Sequence, residues 1–198
     1  IVNALDGLRF RVTHGENSFS VIMNLEGRHF VSDAMAAVAV GLELGVPEEK
    51  IRQGLRTFRN LAGRQETLRA YGYTLIKDCY NAGPESMEAA LKVLGEKQGR
   101  KIAVLGDMLE LGDLSAKLHK EVGEYAAQKG IDLAVCYGDN AKHIAEGAKE
   151  NGAEAYYSSD KAEVLDFLKA SLRDNDAVLY KASRSMRMED IIRDYYGE

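Results

Sequence analysis

The chain has 198 residues, 45% of them apolar, and a formal net charge of −5. That length holds one or two domains and enough apolar side chains for a core, which argues against disorder. The acidic balance leaves no basic footprint for duplex nucleic acid. Two cysteines, Cys79 and Cys136, sit in apolar strand-like surroundings; they read as small core residues of a reducing compartment, not as a disulfide framework or metal set.

Ile1 opens straight into a strand-like pattern with no initiator Met, which suggests a piece of a longer protein. No signal peptide is visible, and no apolar run approaches the ~20 residues of a membrane span, so the expected location is cytoplasmic. Residues 1–26 read as β-hairpins. Leu8–Val12 and Phe19–Met23 alternate apolar and polar, and His14-Gly15-Glu16-Asn17 supplies the turn between them. Gly27 ends this region. Asp33–Leu44 carries Ala34, Ala37, Val38, Gly41 and Leu42 at helical spacing and stops at Gly45. Pro47-Glu48-Glu49 opens a second helix that carries Ile51, Leu55 and Phe58 inward.

Gly63-Arg64 is a loop, and residues 67–70 and 73–78 are two strands joined at Tyr71-Gly72. Asn81-Ala82-Gly83-Pro84 has three turn formers in four positions and marks the expected domain boundary, dividing residues 1–82 from 83–198. From Glu85 onward the pattern alternates. Helices are expected at 85–97, 114–129, 139–151, 160–171 and 187–195, and strands at 101–105, 131–137, 154–157 and 176–181. This order predicts an α/β fold with a Rossmann-like, mostly parallel sheet and flanking helices. Ligands of such sheets bind at the carboxyl edge of the strands, which draws attention to the loop after Ile102–Leu105, beginning Gly106-Asp107.

Neither Gly-x-x-x-x-Gly-Lys-Ser/Thr nor Gly-x-Gly-x-x-Gly occurs, so no recognisable loop cradles a triphosphate. His29 and Asp33 share a helix face and either hydrogen-bond a base or ribose or, through Ser32 or Asp33, cap the helix. Arg64 is either a base-stacking or phosphate-binding arginine or a solvated one. Asp78 suits a ribose diol, with Asn81 beside it; alternatively the two shape an Asx-turn. His119 can reach a phosphate or carboxylate, or serve the helix structurally. Lys181–Arg187, KASRSMR, sets three cations and two hydroxyls within seven residues at a strand's carboxyl end. It suits an anionic substrate group, and its charge opposes the dipole of the helix that follows.

Taken in order, GRHFVSDAMAAVAVGLELGV, Ala62-Gly63-Arg64, DCYNAGPESMEAAL, KIAVLGDMLELGDLSAKLH and KASRSMRME closely resemble the Mur ligases, over about Gly27–Glu189. The resemblance implies a three-domain enzyme of peptidoglycan biosynthesis. Residues 1–82 would be the tail of its central ATP-binding domain and 83–198 its C-terminal domain; the phosphate loop and Mg²⁺ ligands would lie upstream, with no metal ligand here. It further implies an ATP- and Mg²⁺-dependent monomer. By that resemblance the enzyme would join D-Ala-D-Ala to UDP-N-acetylmuramoyl-tripeptide through an acyl phosphate. His29, Asp33, Arg64, Asp78 and Asn81 would line the adenosine side. His119, Lys181 and Arg184 would be positioning residues, and Asp107, Ser183, Arg184 and Arg187 would meet the dipeptide. Closure would pivot near Asn81–Pro84. The chain departs from the family pattern at Asp33, where Asn is usual, at Lys77, where a second Asp is common, and at Gly83, which replaces Asn. A sister ligase or a non-catalytic Rossmann-like binding module are the alternatives.

Overall fold

In the computed structural model, residues 2–4 and 7–197 are described. The strand-like reading of Ile1 lies outside the described residues. The chain divides into two compact units, Ile1–Asn60 and Leu61–Glu198.

In the first unit β1 (Val2–Ala4), β2 (Gly7–His14) and β3 (Asn17–Met23) form an antiparallel meander in that order. His14 opposes Asn17, which leaves Gly15-Glu16 as a two-residue turn. Alternation then puts Leu8, Phe10, Val12, Phe19, Val21 and Met23 on one face, where Ala34 and Val38 of α1 (His29–Glu43) and Ile51 and Leu55 of α2 (Glu48–Thr57) cover them. Two expectations are corrected here. The first helix starts at His29, ahead of Asp33, because Phe30 and Val31 already pack on this core; it has no side-chain cap, so neither Ser32 nor Asp33 caps it. Phe58 does not point inward: it ends α2 in an extended conformation (ψ 140°) that takes it off the apolar stripe, and it is exposed.

The second unit holds β4 (Glu66–Ala70), β5 (Tyr73–Asp78), α3 (Pro84–Gly95), β6 (Lys101–Gly106), α4 (Ser115–Gln128), β7 (Leu133–Tyr137), α5 (Ala141–Glu150), β8 (Glu154–Ser158), α6 (Lys161–Ser171), β9 (Ala177–Lys181) and α7 (Met188–Tyr196). Its single six-stranded sheet runs β4-β5-β9-β6-β7-β8. Only the edge strand β4 is antiparallel; every other pairing is parallel. One face packs Ile76, Ala103, Leu105, Ala134, Cys136 and Leu179 under α3, α4 and α5. The other packs Leu75, Ile102, Val104, Val135, Val178 and Tyr180 under α6 and α7. The strands read as continuous apolar runs because both faces are covered.

This topology moves the expected boundary. β5 is hydrogen-bonded to β9, with Leu75 opposite Val178, so residues 61–82 belong to the second unit and the division falls after Asn60 instead of near residue 82. The turn at Asn81–Pro84 is real, and Pro84 opens α3 as a first-turn proline. It lies within one compact unit, however, and the expected pivot there finds no division between units.

α4 and α5 approach at two glycines. A Cβ on Gly123 would lie 2.0 Å from the Ile144 carbonyl oxygen, and one on Gly147 would lie 2.2 Å from that of Lys120. Only glycine permits so close a crossing.

Candidate functional site

β9 enters last and sits between β5 and β6. The loops after β5 and β6 leave toward α3 and α4 on one face, while the loop after β9 leaves toward α7 on the other. Connections that part in this way open a crevice at the carboxyl ends of the strands, the usual ligand position of an open α/β sheet. The candidate residues of this unit gather on the two sides of β9.

On the β5 side, Lys181 ends β9 almost wholly buried (2% exposed). Its Nζ donates to Asp78 Oδ2 at 2.7 Å and to the Asn81 carbonyl at 2.9 Å. Asp78 Oδ1 accepts the Gln65 N–H at 3.1 Å, and the Tyr80 N–H reaches the Gly63 carbonyl at 3.1 Å. These bonds knit the Gly63-Arg64 loop to the end of β5. The Arg64 guanidinium then lies 3.8 Å from the Tyr80 ring centroid. An exposed Arg–Tyr stack beside a carboxylate can receive a flat base and a diol. Tyr80 escaped the sequence reading although it stands between Asp78 and Asn81. Burial, with Glu189 and Asp78 nearby, pushes the Cys79 thiol up to about 12, and its Sγ donates to the Tyr180 carbonyl at 3.4 Å. Cys79 and Cys136 are both free and buried, as core residues.

On the β6 side, Asp107 and Ser183 meet. The Ser183 N–H donates to the Asp107 carbonyl at 3.0 Å, extending the β6–β9 ladder by one step. Ser183 Oγ accepts the Leu109 N–H at 2.9 Å. Asp107 is itself buried, and its Oδ1 accepts the N–H groups of Asn140 and Ala141 at 3.0 and 2.7 Å, which caps α5. Gly138 makes this possible: its φ is +124°, and a Cβ there would lie 2.5 Å from Asp107 Oδ1. Asp107 thus fastens three loops together, a structural duty that the expectation of a dipeptide contact did not include.

His119 is fully buried, so its side chain does not reach out to a phosphate or carboxylate. Its Nε2 accepts the Met108 N–H at 2.9 Å and its Nδ1 lies 2.7 Å from the Ser115 carbonyl oxygen. Burial lowers its pKa below the ordinary 6.5. Arg184 and Arg187 are exposed, and each is met by an acid of α7: Arg184 by Glu189 Oε1 at 2.9 Å, Arg187 by Asp190 Oδ2 at 2.8 Å. That resolves the apparent conflict with the helix dipole, since both cations precede Met188 and the acids occupy the first turn. Glu189 Oε2 is buried without a protein partner. Arg187 holds a left-handed conformation (φ +49°) that turns the chain into α7. His29 and Asp33 belong to the first unit, one helical turn apart on the exposed side of α1. Among the described residues no group of three or more His, Cys, Asp or Glu is disposed to hold a metal ion, and no helix is long and apolar enough to cross a membrane.

The family profile described as "Mur ligase, glutamate ligase domain" matches residues 63–184, beginning at the Arg64 loop and ending in the loop after β9. The chain is 37% identical to the UDP-N-acetylmuramoyl-tripeptide–D-alanyl-D-alanine ligase of Bacillus subtilis (strain 168), over 96% of this chain and 42% of that protein. It superposes on the crystal structure of MurF from Acinetobacter baumannii with a TM-score of 0.86 at 34% identity, covering 96% of this chain and 42% of that one. On MurF ligase from Thermotoga maritima in complex with ADP the TM-score is 0.76 at 25% identity, covering 90% and 40%. The chain therefore spans about 42% of the length of these relatives. With the family profile across its second unit and this degree of identity, the chain belongs to the Mur ligase family.

Proposed function

We propose that this chain is the C-terminal part of a ligase that joins D-Ala-D-Ala to UDP-N-acetylmuramoyl-tripeptide at the expense of ATP. The observation that carries the reading is the pair of bonded clusters flanking β9, Lys181–Asp78 with the Arg64–Tyr80 stack on one side and Ser183–Asp107 on the other. The first fits a nucleoside: Asp78 accepts the ribose hydroxyls, and Arg64 and Tyr80 offer a flat surface to the base, with Asn81 alongside. Among the described residues no group of three or more His, Cys, Asp or Glu is gathered beside these clusters. Phosphate and metal chemistry is assigned to the remainder of the enzyme, since the chain has no phosphate-loop motif.

The second cluster receives the dipeptide. Arg184 and Arg187 present guanidinium groups suited to a terminal carboxylate. The task of this unit is positioning. It holds the amine ~3–3.5 Å from the activated carbonyl and keeps out the water that would hydrolyse an acyl phosphate.

The test is kinetic. The full-length enzyme releases phosphate only when ATP, the UDP-linked tripeptide and D-Ala-D-Ala are all present, and the 198-residue chain alone releases none above background. In the full-length enzyme Arg184→Ala raises the KM for D-Ala-D-Ala by about tenfold or more, the worth of one charge-assisted hydrogen bond, and leaves the KM for ATP within about twofold. Equal losses for both substrates would remove the assigned role.

A further inference from the structure

Three consecutive residues leave β6, and each is fastened by hydrogen bonds to a neighbouring segment. Asp107 is tied to the start of α5 and to Ser183, Met108 to His119, and Leu109 to Ser183 Oγ. Beyond them Glu110 adopts φ +64°, an unusual conformation for a residue with a side chain, and Leu109 is exposed at the strand edge. The hydrogen bonds fix the protonation of the histidine that holds the middle residue. Nε2 accepts a peptide N–H, so it carries no proton. Nδ1 faces the Ser115 carbonyl oxygen, which can only accept, so Nδ1 carries it.

We propose that His119 is a positioning residue and a proton-sensitive lock. Its neutral Nδ1–H form holds the loop between β6 and α4 in the shape that an acceptor substrate meets beside Ser183. That the loop serves an acceptor rests on the ligase reading; the lock itself does not. Protonation at Nε2 would set a donor against the Met108 N–H and leave that buried amide without an acceptor. The groups that act on the ring are the Ser115 carbonyl and Asp107, which favour the cation, and His143 of α5, which opposes it when it carries a proton. Burial outweighs the Ser115 carbonyl bond and the carboxylate, so the folded imidazole titrates below its ordinary 6.5. The lock is therefore complete above 6.5 and is lost as the pH falls from there through the folded value.

The experiment combines nuclear magnetic resonance on the ¹⁵N-labelled chain with kinetics on the full-length enzyme. Between about pH 8 and about pH 5, long-range imidazole spectra should show the Nδ1–H tautomer first, and the Met108 and Leu109 amides should shift and lose exchange protection as His119 charges. His119→Gln keeps an acceptor near the Nε2 position without a titrating group, so both amides should then ignore pH. An Nε2–H tautomer, amides indifferent to His119 charging, or the same pH response in His119→Gln overturns the lock. In the enzyme, His119→Leu should raise the KM for D-Ala-D-Ala about tenfold with the KM for ATP changed less than about twofold, and His119→Gln should restore it and remove its rise on the acid side. An unchanged KM for the dipeptide overturns the positioning role. An enzyme that ligates nothing overturns the ligase reading instead, and the spectra then judge the lock alone.

Discussion

Lys181 shows how much one buried charge can organise. Its ammonium has almost no solvent, so its two bonds to Asp78 and Asn81 replace hydration and pull the end of β5 against β9. Removing one partner of such a pair leaves the other uncompensated, which is worth more than the pair contributes over an apolar replacement. Lys181→Met is expected to destabilise the second unit by about 3 kcal/mol, read as a shift in the urea midpoint, and adding Asp78→Asn should recover part of the loss. Arg184 is the contrast. Its bond to Glu189 is exposed, and such pairs contribute ~0–1 kcal/mol, so a substrate-specific KM change in Arg184→Ala cannot be a folding effect. The sequence names Lys181 and Asp78 as polar residues ending strands; their pairing across 103 positions needs the register of β5 on β9.

At the scale of elements, α4 and α5 set helix propensity against packing. Gly147→Ala in a free helix would gain roughly 0.5–1 kcal/mol. Here the new Cβ would lie 2.2 Å from a backbone oxygen that cannot rotate away. Overpacking of this kind costs about 1–3 kcal/mol, so the variant is expected to be less stable by ~1 kcal/mol or more in chemical denaturation. A gain would mean that α4 and α5 do not approach so closely. Element types were readable in the sequence because the second unit alternates apolar strand runs with helical periods. Element ends were less so. α1 begins at His29 because Phe30 and Val31 find a core to pack on, a tertiary reason with no local signal.

At the scale of the molecule, the division after Asn60 has a consequence for truncation. Residues 61–198 contain both faces of the sheet and all of its covering helices, so that piece is expected to unfold in one cooperative transition. A piece starting at residue 83 loses β4 and β5, exposes the edge of β9, and gives up the burial of Leu75 and Ile76 at ~2–5 kcal/mol each. It should aggregate or melt far lower in a thermal scan. Similar stability of the two pieces would contradict this topology.

The sequence by itself determined the α/β class, the alternation of strands and helices from Glu85 onward, and the residue types that gather at the strand ends, because hydrophobic period and turn chemistry are local properties. Which strand lies in the middle is not local. Only the tertiary structure decided that β9 enters between β5 and β6, and with it that Lys181 meets Asp78, that Ser183 meets Asp107, and that His119 turns inward to a peptide N–H. Burial then fixes the hydrogen bonding of those groups, because a polar atom removed from water must find its partner within the fold.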